Sequence, residues 1–355
     1  MAEDERPVVA FLGPEASYTH QAALSAFPPK STILSPQITI ADVFTSVQNG
    51  TATRGVVPLE NSSNGSVVFT LDLIGDLHGT HPDILVCGEV YVAVKHCLLG
   101  HLIPGSTPSA PRTDVVIDSK FSNPLATPAG DLSKIKRLYS HPQAWGQCKA
   151  FLATYMKGVE RHDVSSTSKA AEIAAQDASG ESAALSSKVA ASVFGCDVLA
   201  ESINDHLGNT TRFLVIKRRE SPPLGISRAP TPTPASVQTM TESAAANEVE
   251  GSSSIAAPLS SSASTQWKSL VTFTINHTSP GALASCLAVF SKHGLNLTSI
   301  NTRPSGTRNW HYIFFVEFKG RKEDGDEVGE VNGALRELDG ACEDWRWKGS
   351  WEGGN

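Results

Sequence analysis

The feature that most limits what this chain can fold into is a stretch from about Glu220 to Thr265, ESPPLGISRAPTPTPASVQTMTESAAANEVEGSSSIAAPLSSSAST. It is rich in Pro, Ser, Ala and Thr and poor in aromatic residues. Such a segment cannot bury enough apolar surface to offset the entropy of ordering, so residues 219–266 read as a disordered linker. The 355-residue chain is thereby split into an N-terminal unit, residues 7–218, and a C-terminal unit, residues 267–351. Each is long enough to bury a core of its own.

Charge and cysteine usage narrow the function classes. A formal net charge of -7 argues against nucleic-acid binding, which needs a concentrated basic surface. If the ligand is an anion, a few local groups must attract it. The cysteines (Cys87, Cys97, Cys148, Cys196, Cys286 and Cys342) form no CxxC pair and have no CxxH partner, so no metal site is expected. They read as reduced, buried thiols. The opening MAEDERPVVAFLG is acidic and runs straight into an apparent strand, unlike an export or transit signal. No apolar stretch is long enough to span a bilayer, so a cytoplasmic protein without membrane contact is expected.

The first unit alternates apolar runs with amphipathic stretches. VVAFLG, RGVVPL, ILVCGEVYVAVKHCLLG, KRLYS, SAALS and RFLVIK read as strands; VVFTLDLIGDL and SKAAEIAAQ read as helices. The alternation implies an α/β unit, an open and largely parallel sheet with helices on its faces, whose ligands sit where loops converge beyond the strand ends. A Pro/Ser/Thr-rich stretch, about Leu102 to Ser133, reads as a surface insertion. The second unit runs SLVTFTI, PGALASCLAVFSKHG, NLTSINTRP, WHYIFFVEFKG, VGEVNGALREL and CEDWRWKGS, the βαββαβ order of an α+β ferredoxin-like sandwich.

Four segments of the first unit bring small polar residues to strand ends. In GPEASYTHQAAL, Gly13 and Pro14 turn the chain and Ser17, Tyr18 and Thr19 sit near a helix N-terminus, which favours an anion. A plain N-cap is the simpler account of any one of these hydroxyls. In VVPLENSSNGSVVFTLDLI, Glu60, Asn61, Ser62, Ser63, Asn64 and Gly65 follow an apolar strand and Pro58. A solvated turn explains the end of that run better than it explains Glu60 and Asn61. In LYSHPQAWGQC, Ser140 and His141 end a strand and Pro142 suits the first helical position. His141 either bonds a ligand oxygen or caps the helix, with Gln143 and Gln147 as donors behind it. In NDHLGNTTRFLVIK, Asn209, Thr210, Thr211 and Arg212 suit a carboxylate ligand, though Arg212 could equally pair with a surface carboxylate. There is no GxGxxG, P-loop, nucleophile elbow or HExxH, so an enzyme built on these segments would use no cofactor.

These segments in this order, most specifically PLENSSNGSV, SHPQAWGQC and NTTRF, resemble prephenate dehydratase, and the tail resembles an ACT domain through PGAL and NTRP. The resemblance covers nearly all of the chain outside the linker and the insertion. It implies a two-lobed catalytic unit like a periplasmic binding protein, with the site in the cleft between lobes. It implies decarboxylation and dehydration of prephenate to phenylpyruvate, driven by aromatisation. On this resemblance Thr211 is the hydroxyl near the departing oxygen, with Arg212 and Glu60 in the catalytic set. Ser17, Tyr18, Asn61, Ser62, Gly65, Ser140, His141, Gln143, Asn209 and Thr210 would bind substrate. An alkyl hydroxyl is a poor acid, so Thr211 is expected to donate a hydrogen bond or relay a proton from Glu60 or His141.

For the ACT domain the resemblance implies L-phenylalanine as effector, held by Pro280, Gly281, Ala282 and Leu283 together with Asn301, Thr302, Arg303 and Pro304. Such domains pair side by side, so a homodimer or homotetramer is expected. A disordered tether transmits no force, so coupling must run through direct domain contacts. Two departures stand out: GPxGTYS reads GPEASYT here, placing Ala16 where a glycine is usual, and ESRP reads NTRP. The rival readings are an arogenate dehydratase and a non-catalytic amino-acid sensor. Fusion to chorismate mutase is not expected, since no helical domain precedes Val8.

Overall fold

The computed structural model describes residues 6–111, 124, 126–206, 208–220, 266–325 and 329–353. The expected linker lies outside the described residues at 221–265, as do residues 112–123 and 125 of the expected insertion. What is described of 102–133 contains no helix or strand.

The first strand shows why the fold begins as it does. In β1 (Val8–Leu12) Val9, Ala10 and Phe11 are all buried, because helices cover both faces. Phe11 packs with Ala22 and Ala23 of α1 (Tyr18–Ala26), and Ala10 with Val43, Phe44 and Val47 of α2 (Ile40–Gln48). A continuous apolar run is what a strand covered on both sides requires. Helix α2 is started by a reciprocal Thr39–Asp42 capping box. β1 pairs in parallel with β2 (Ile33–Gln37) and β3 (Arg54–Asn61). A short β4 (Gly65–Ser66) folds back on β3 ahead of α3 (Val68–Gly75).

The long apolar run from Ile84 is two strands. β5 (Ile84–Ala93) belongs to the first sheet and β6 (His96–Gly100) to a second, with the chain crossing between lobes at Val94 and Lys95. It crosses back ahead of β11 (Thr210–Arg218), which runs antiparallel between β3 and β5. The two crossings are tied where the Val94 N–H donates to the Asn209 carbonyl (2.8 Å). The first sheet has the order β2-β1-β3-β11-β5. The second contains β7 (Arg137–Ser140), β8 (Glu160–Asp163), β9 (Ser182–Ser187) and β10 (Asp197–Ala200), in the order β10-β6-β9-β7-β8. Around it lie α4 (Pro142–Trp145), α5 (Lys149–Tyr155), α6 (Thr167–Gln176) and α7 (Lys188–Phe194). The expected largely parallel sheet is thus corrected to two mixed sheets, one per lobe. Each lobe receives a returning segment, and apolarity alone does not record which sheet a strand joins.

The C-terminal unit has the expected βαββαβ order: β12 (Trp267–Thr274), α8 (Ala282–Lys292), β13 (Leu297–Pro304), β14 (Tyr312–Lys319), α9 (Glu330–Ala341) and β15 (Asp344–Glu352). Its antiparallel sheet, β13-β14-β12-β15, sends Val271, Phe273, Val316 and Phe318 toward the helices. The opposite face sends Leu270, Ile313, Phe315 and Trp351 into the core of the first lobe, against Leu71, Ile74 and Val86. Gly349 permits that close packing: it has φ 137°, and a Cβ there would lie 2.0 Å from the Val86 carbonyl oxygen. No helix among the described residues is long and apolar enough to cross a membrane.

Candidate active site

A cavity of ≈ 560 Å³ lies between the two lobes. Leu12, Gly13, Pro14, Ser17, Tyr18, Thr19, Pro58, Asn61, Asn64, Gly65, Ser66, Val67, Asn209, Thr211 and Phe213 contribute from the first lobe; His96, His141, Gln143, Gln147, Ser165, Ser166 and Thr167 contribute from the second. Helices α1 and α6 both begin at its wall. Their exposed N–H groups are capped by Ser17, which accepts from His20, and Ser166, which accepts from Lys169. Neutral donors and helix N-termini therefore supply the attraction for an anion, since the lining contains no Lys, Arg, Asp or Glu among the described residues.

A hydrogen-bonded chain runs along the wall, and its polarity can be worked out from one end. The Asn61 Oδ1 accepts from the backbone N–H groups of Ser63 (3.0 Å) and Asn64 (3.1 Å), which fixes the amide orientation. The Asn61 Nδ2 therefore donates, to Asn209 Oδ1 at 2.8 Å and Thr211 Oγ1 at 2.9 Å. Asn209 Nδ2 donates in turn to Gln147 Oε1 (3.3 Å), and the same oxygen lies 2.9 Å from His96 Nε2. His96 must then carry its proton on Nε2 and accept from the Tyr18 hydroxyl at Nδ1 (3.2 Å). Burial pushes the His96 pKa below its ordinary value, against a hydrogen bond to Gln147 that raises it, so the ring is neutral near pH 7. Burial pushes the Tyr18 phenol upward, with Cys97 and Cys148 adding, so it stays protonated. Thr211 ends the chain as an acceptor from Asn61. Its own O–H has no acceptor among the described residues and is available to the cleft.

Of the residues expected from the sequence, Ser17, Tyr18, Asn61, Gly65, His141, Gln143, Asn209 and Thr211 meet in this cavity. His141 also caps α4, its Nδ1 accepting from the Gln143 N–H (3.3 Å). Others do not face it. Ser140 is buried and donates to the Leu185 carbonyl (2.9 Å), holding β7 to β9. Ser62 accepts from the Thr210 N–H (3.0 Å), and the Thr210 hydroxyl donates to the Gly208 carbonyl, so both brace the Asn209 turn.

Glu60 and Arg212 require the main correction. Strand alternation turns them to the far side of the sheet, where Arg212 is 5% exposed and meets Glu60 (3.3 Å), Glu89 (2.5 Å) and Glu317 (2.5 Å). Burial alone would lower the guanidinium pKa; the Glu317 and Glu89 carboxylates outweigh it and raise it. Glu60 thus does not line the cleft. His96 and Ser165–Thr167 were not anticipated. The only signal for the latter was a small-residue cap before a helix, and His96 sits inside an apolar run.

In the C-terminal unit, Gly281, Ala282 and Leu283 line a shallow pocket with His277 and Leu287, at the turn where Gly281 (φ 79°) starts α8. Asn301, Thr302, Arg303 and Pro304 do not line it. Instead Arg303 forms a two-point ion pair with Asp72 of α3 (2.6 and 3.0 Å), and Asn301 Oδ1 accepts from the Ser66 hydroxyl (2.8 Å) at the cleft edge.

Comparison with known families settles what this architecture is. The model of the family described as prephenate dehydratase matches residues 9–221, and that of the ACT domain matches residues 271–336. The chain belongs to the prephenate dehydratase family. It is 33% identical over 330 residues to a bifunctional chorismate mutase/prephenate dehydratase of Aquifex aeolicus, spanning 93% of this chain and 69% of that one. It is 32% identical over 345 residues to a probable prephenate dehydratase of Saccharomyces cerevisiae, spanning 88% and 87%. The same fold occurs in a prephenate dehydratase from Arthrobacter aurescens solved with L-Phe (TM-score 0.68, 24% identity, 98% of this chain and 90% of that one). It occurs also in GqqA, described as a novel type of quorum quenching acylase (TM-score 0.67, 23% identity, 98% of each chain). As a dehydratase family member, the chain joins a two-lobed α/β unit to an ACT domain.

Proposed function

We propose that the chain converts prephenate to phenylpyruvate, carbon dioxide and water, under control of L-phenylalanine bound to the ACT domain. The observation that carries the reading is the Thr211 hydroxyl. Asn61 donates to its oxygen, so its hydrogen points to the cleft, where a departing ring hydroxyl needs a donor. The C–C bond to the ring carboxylate breaks and releases carbon dioxide. Its electron pair moves into the ring, and the C–O bond at the far ring carbon breaks. The leaving oxygen takes up one proton from solvent and departs as water. Thr211 stabilises the charge that develops on that oxygen, and the helix N-termini of α1 and α6 orient the carboxylates. No redox change occurs, and no cofactor is required.

Regulation rests on the ACT domain. Among the described residues, the pocket at the Gly281–Leu283 turn is not lined by the Asn301–Pro304 strand, which fits an effector site completed by a second copy. The working form is therefore a homodimer or homotetramer, and its place is the cytoplasm, where the free thiols stay reduced. The catalytic unit extends over residues 7–218 and the ACT domain over 267–351. The test is to measure kcat/KM for prephenate and for arogenate side by side, with and without phenylalanine. Turnover of prephenate by a wide margin supports the assignment. Preference for arogenate makes this an arogenate dehydratase, and phenylalanine binding with no turnover of either makes it a sensor.

A further inference from the structure

Resting on that reading of the cleft, we infer that Glu317 of the ACT domain is a positioning residue for the Thr211 hydroxyl, acting through Arg212 and Glu60. In the β3–β11 ladder Thr211 is opposite Asn61 and Arg212 is opposite Glu60. The first pair faces the cleft and makes the hydrogen bond that sets the direction of the Thr211 O–H. The second pair faces the ACT sheet and makes the ion pair with Glu317. The two pairs stand back to back, one residue apart on each strand.

Thr211 stays in register with Val92 of β5, but its pairing with β3 is interrupted next to it. The register shifts between Arg212 and Phe213, where Phe213 pairs with Pro58 and Leu59 is left without a partner in the ladder. A bulge at this point interrupts regular pairing and leaves the local twist open to adjustment. Beside the bulge the Arg212 side chain, 6% exposed, ties the strand to Glu89 of β5, Glu60 of β3 and Glu317 of β14. Glu317 is itself held, by Thr298 of β13 (2.9 Å) and Lys268 of β12 (3.6 Å). Lys268 also meets Glu89 (2.9 Å), and the Tyr91 ring lies under both cations, at 5.9 Å from Arg212 and 5.8 Å from Lys268. A planar guanidinium with two carboxylates at 2.5 Å has little rotational freedom. The ACT domain thus closes a clamp around the strand that carries the reactive hydroxyl. Any movement of β14 is passed to Thr211 over one residue of backbone.

The cluster holds three carboxylates against two cations, so Glu317→Gln leaves two of each and is expected to fold, with the amide keeping the Thr298 contact. The control is Asp72→Asn, which removes an interdomain ion pair, with Arg303, in which no residue of β11 takes part. In full-length protein assayed with prephenate, Glu317→Gln should lower kcat about tenfold and leave KM within about twofold, because misplacing a reactive group costs rate more than binding. Asp72→Asn should keep the wild-type kcat. Wild-type kcat in a folded Glu317→Gln overturns the inference. An equal fall in both variants also overturns it, since docking alone would then explain the loss. Glu317→Asp, which keeps the charge but retracts it by one methylene, should show the same split at smaller amplitude; it replaces the amide variant if circular dichroism shows that one unfolded. A wild-type enzyme inert toward prephenate would instead sink the functional reading.

Discussion

Replacing Thr211 by Val removes a hydroxyl while keeping the branched shape, and the structure separates its catalytic cost from its structural one. The lost hydrogen bond is the 2.9 Å contact from Asn61. Asn61 keeps Asn209 as an acceptor at 2.8 Å and has the Thr210 carbonyl at 3.4 Å for its second hydrogen, so the amide is not stranded. The stability loss should therefore stay near or below about 1 kcal/mol. The catalytic loss is larger, because a fixed donor aimed at charge that develops only in the transition state is worth roughly 2.7–4 kcal/mol, or about 10²–10³ in kcat. KM should change little. Thr211→Ser keeps the acceptor and the donor and should retain most of the activity. The assay follows phenylpyruvate by its ultraviolet absorbance in alkali, with thermal unfolding measured in parallel. Full kcat in Thr211→Val would refute the reasoning. So would a Thr211→Ser enzyme as slow as the valine variant, since the methyl group and not the hydroxyl would then matter.

Other expectations follow from the same structure. Lys348 of β15 is 5% exposed, and burial pushes its pKa from 10.5 down to about 8, with Arg346 adding and Asp76 opposing. The unfolded chain binds that proton more tightly, so stability should rise between about pH 8 and pH 10.5. Lys348→Met should remove the slope and add up to about 3 kcal/mol at pH 7, read by urea melts across pH. Gly349→Ala would press a methyl into the Val86 carbonyl at 2.0 Å and should cost more than about 3 kcal/mol, freeing the ACT domain from the first lobe; limited proteolysis would report it. Ala16 sits at φ 62° and 1% exposure, so Ala16→Gly trades relief of left-handed strain against a buried methyl and should melt within about 1 kcal/mol of wild type. Ala16→Val, branched at the same φ, should lose more than about 2 kcal/mol.

Much of the fold was legible because periodicity and order carry it: VVAFL is apolar throughout because both faces are covered, and the C-terminal unit shows its βαββαβ order directly. The break at Val94 and Lys95 was not legible, since one apolar run serves two sheets. Strands such as Glu160–Asp163 have too little apolar character to announce themselves. At the cleft, hydroxyl and amide residues at strand ends led to Thr211, Asn61 and Asn209. The family resemblance placed Arg212 and Glu60 in the same site, though one step along a strand reverses the face. Tertiary partners, above all Glu317 more than a hundred residues away, decide which side holds the charge. His96 was hidden because its neighbours are core residues. Only the fold brings it to Gln147.

The most direct test is the release of labelled carbon dioxide from prephenate carrying the label in its ring carboxylate, followed with purified full-length protein at neutral pH. The expected result is release far above the spontaneous rate, matched one to one by phenylpyruvate and altered by added phenylalanine. Release no faster than in buffer alone, with the protein folded and no phenylalanine added, would contradict the assignment of this cleft to prephenate chemistry.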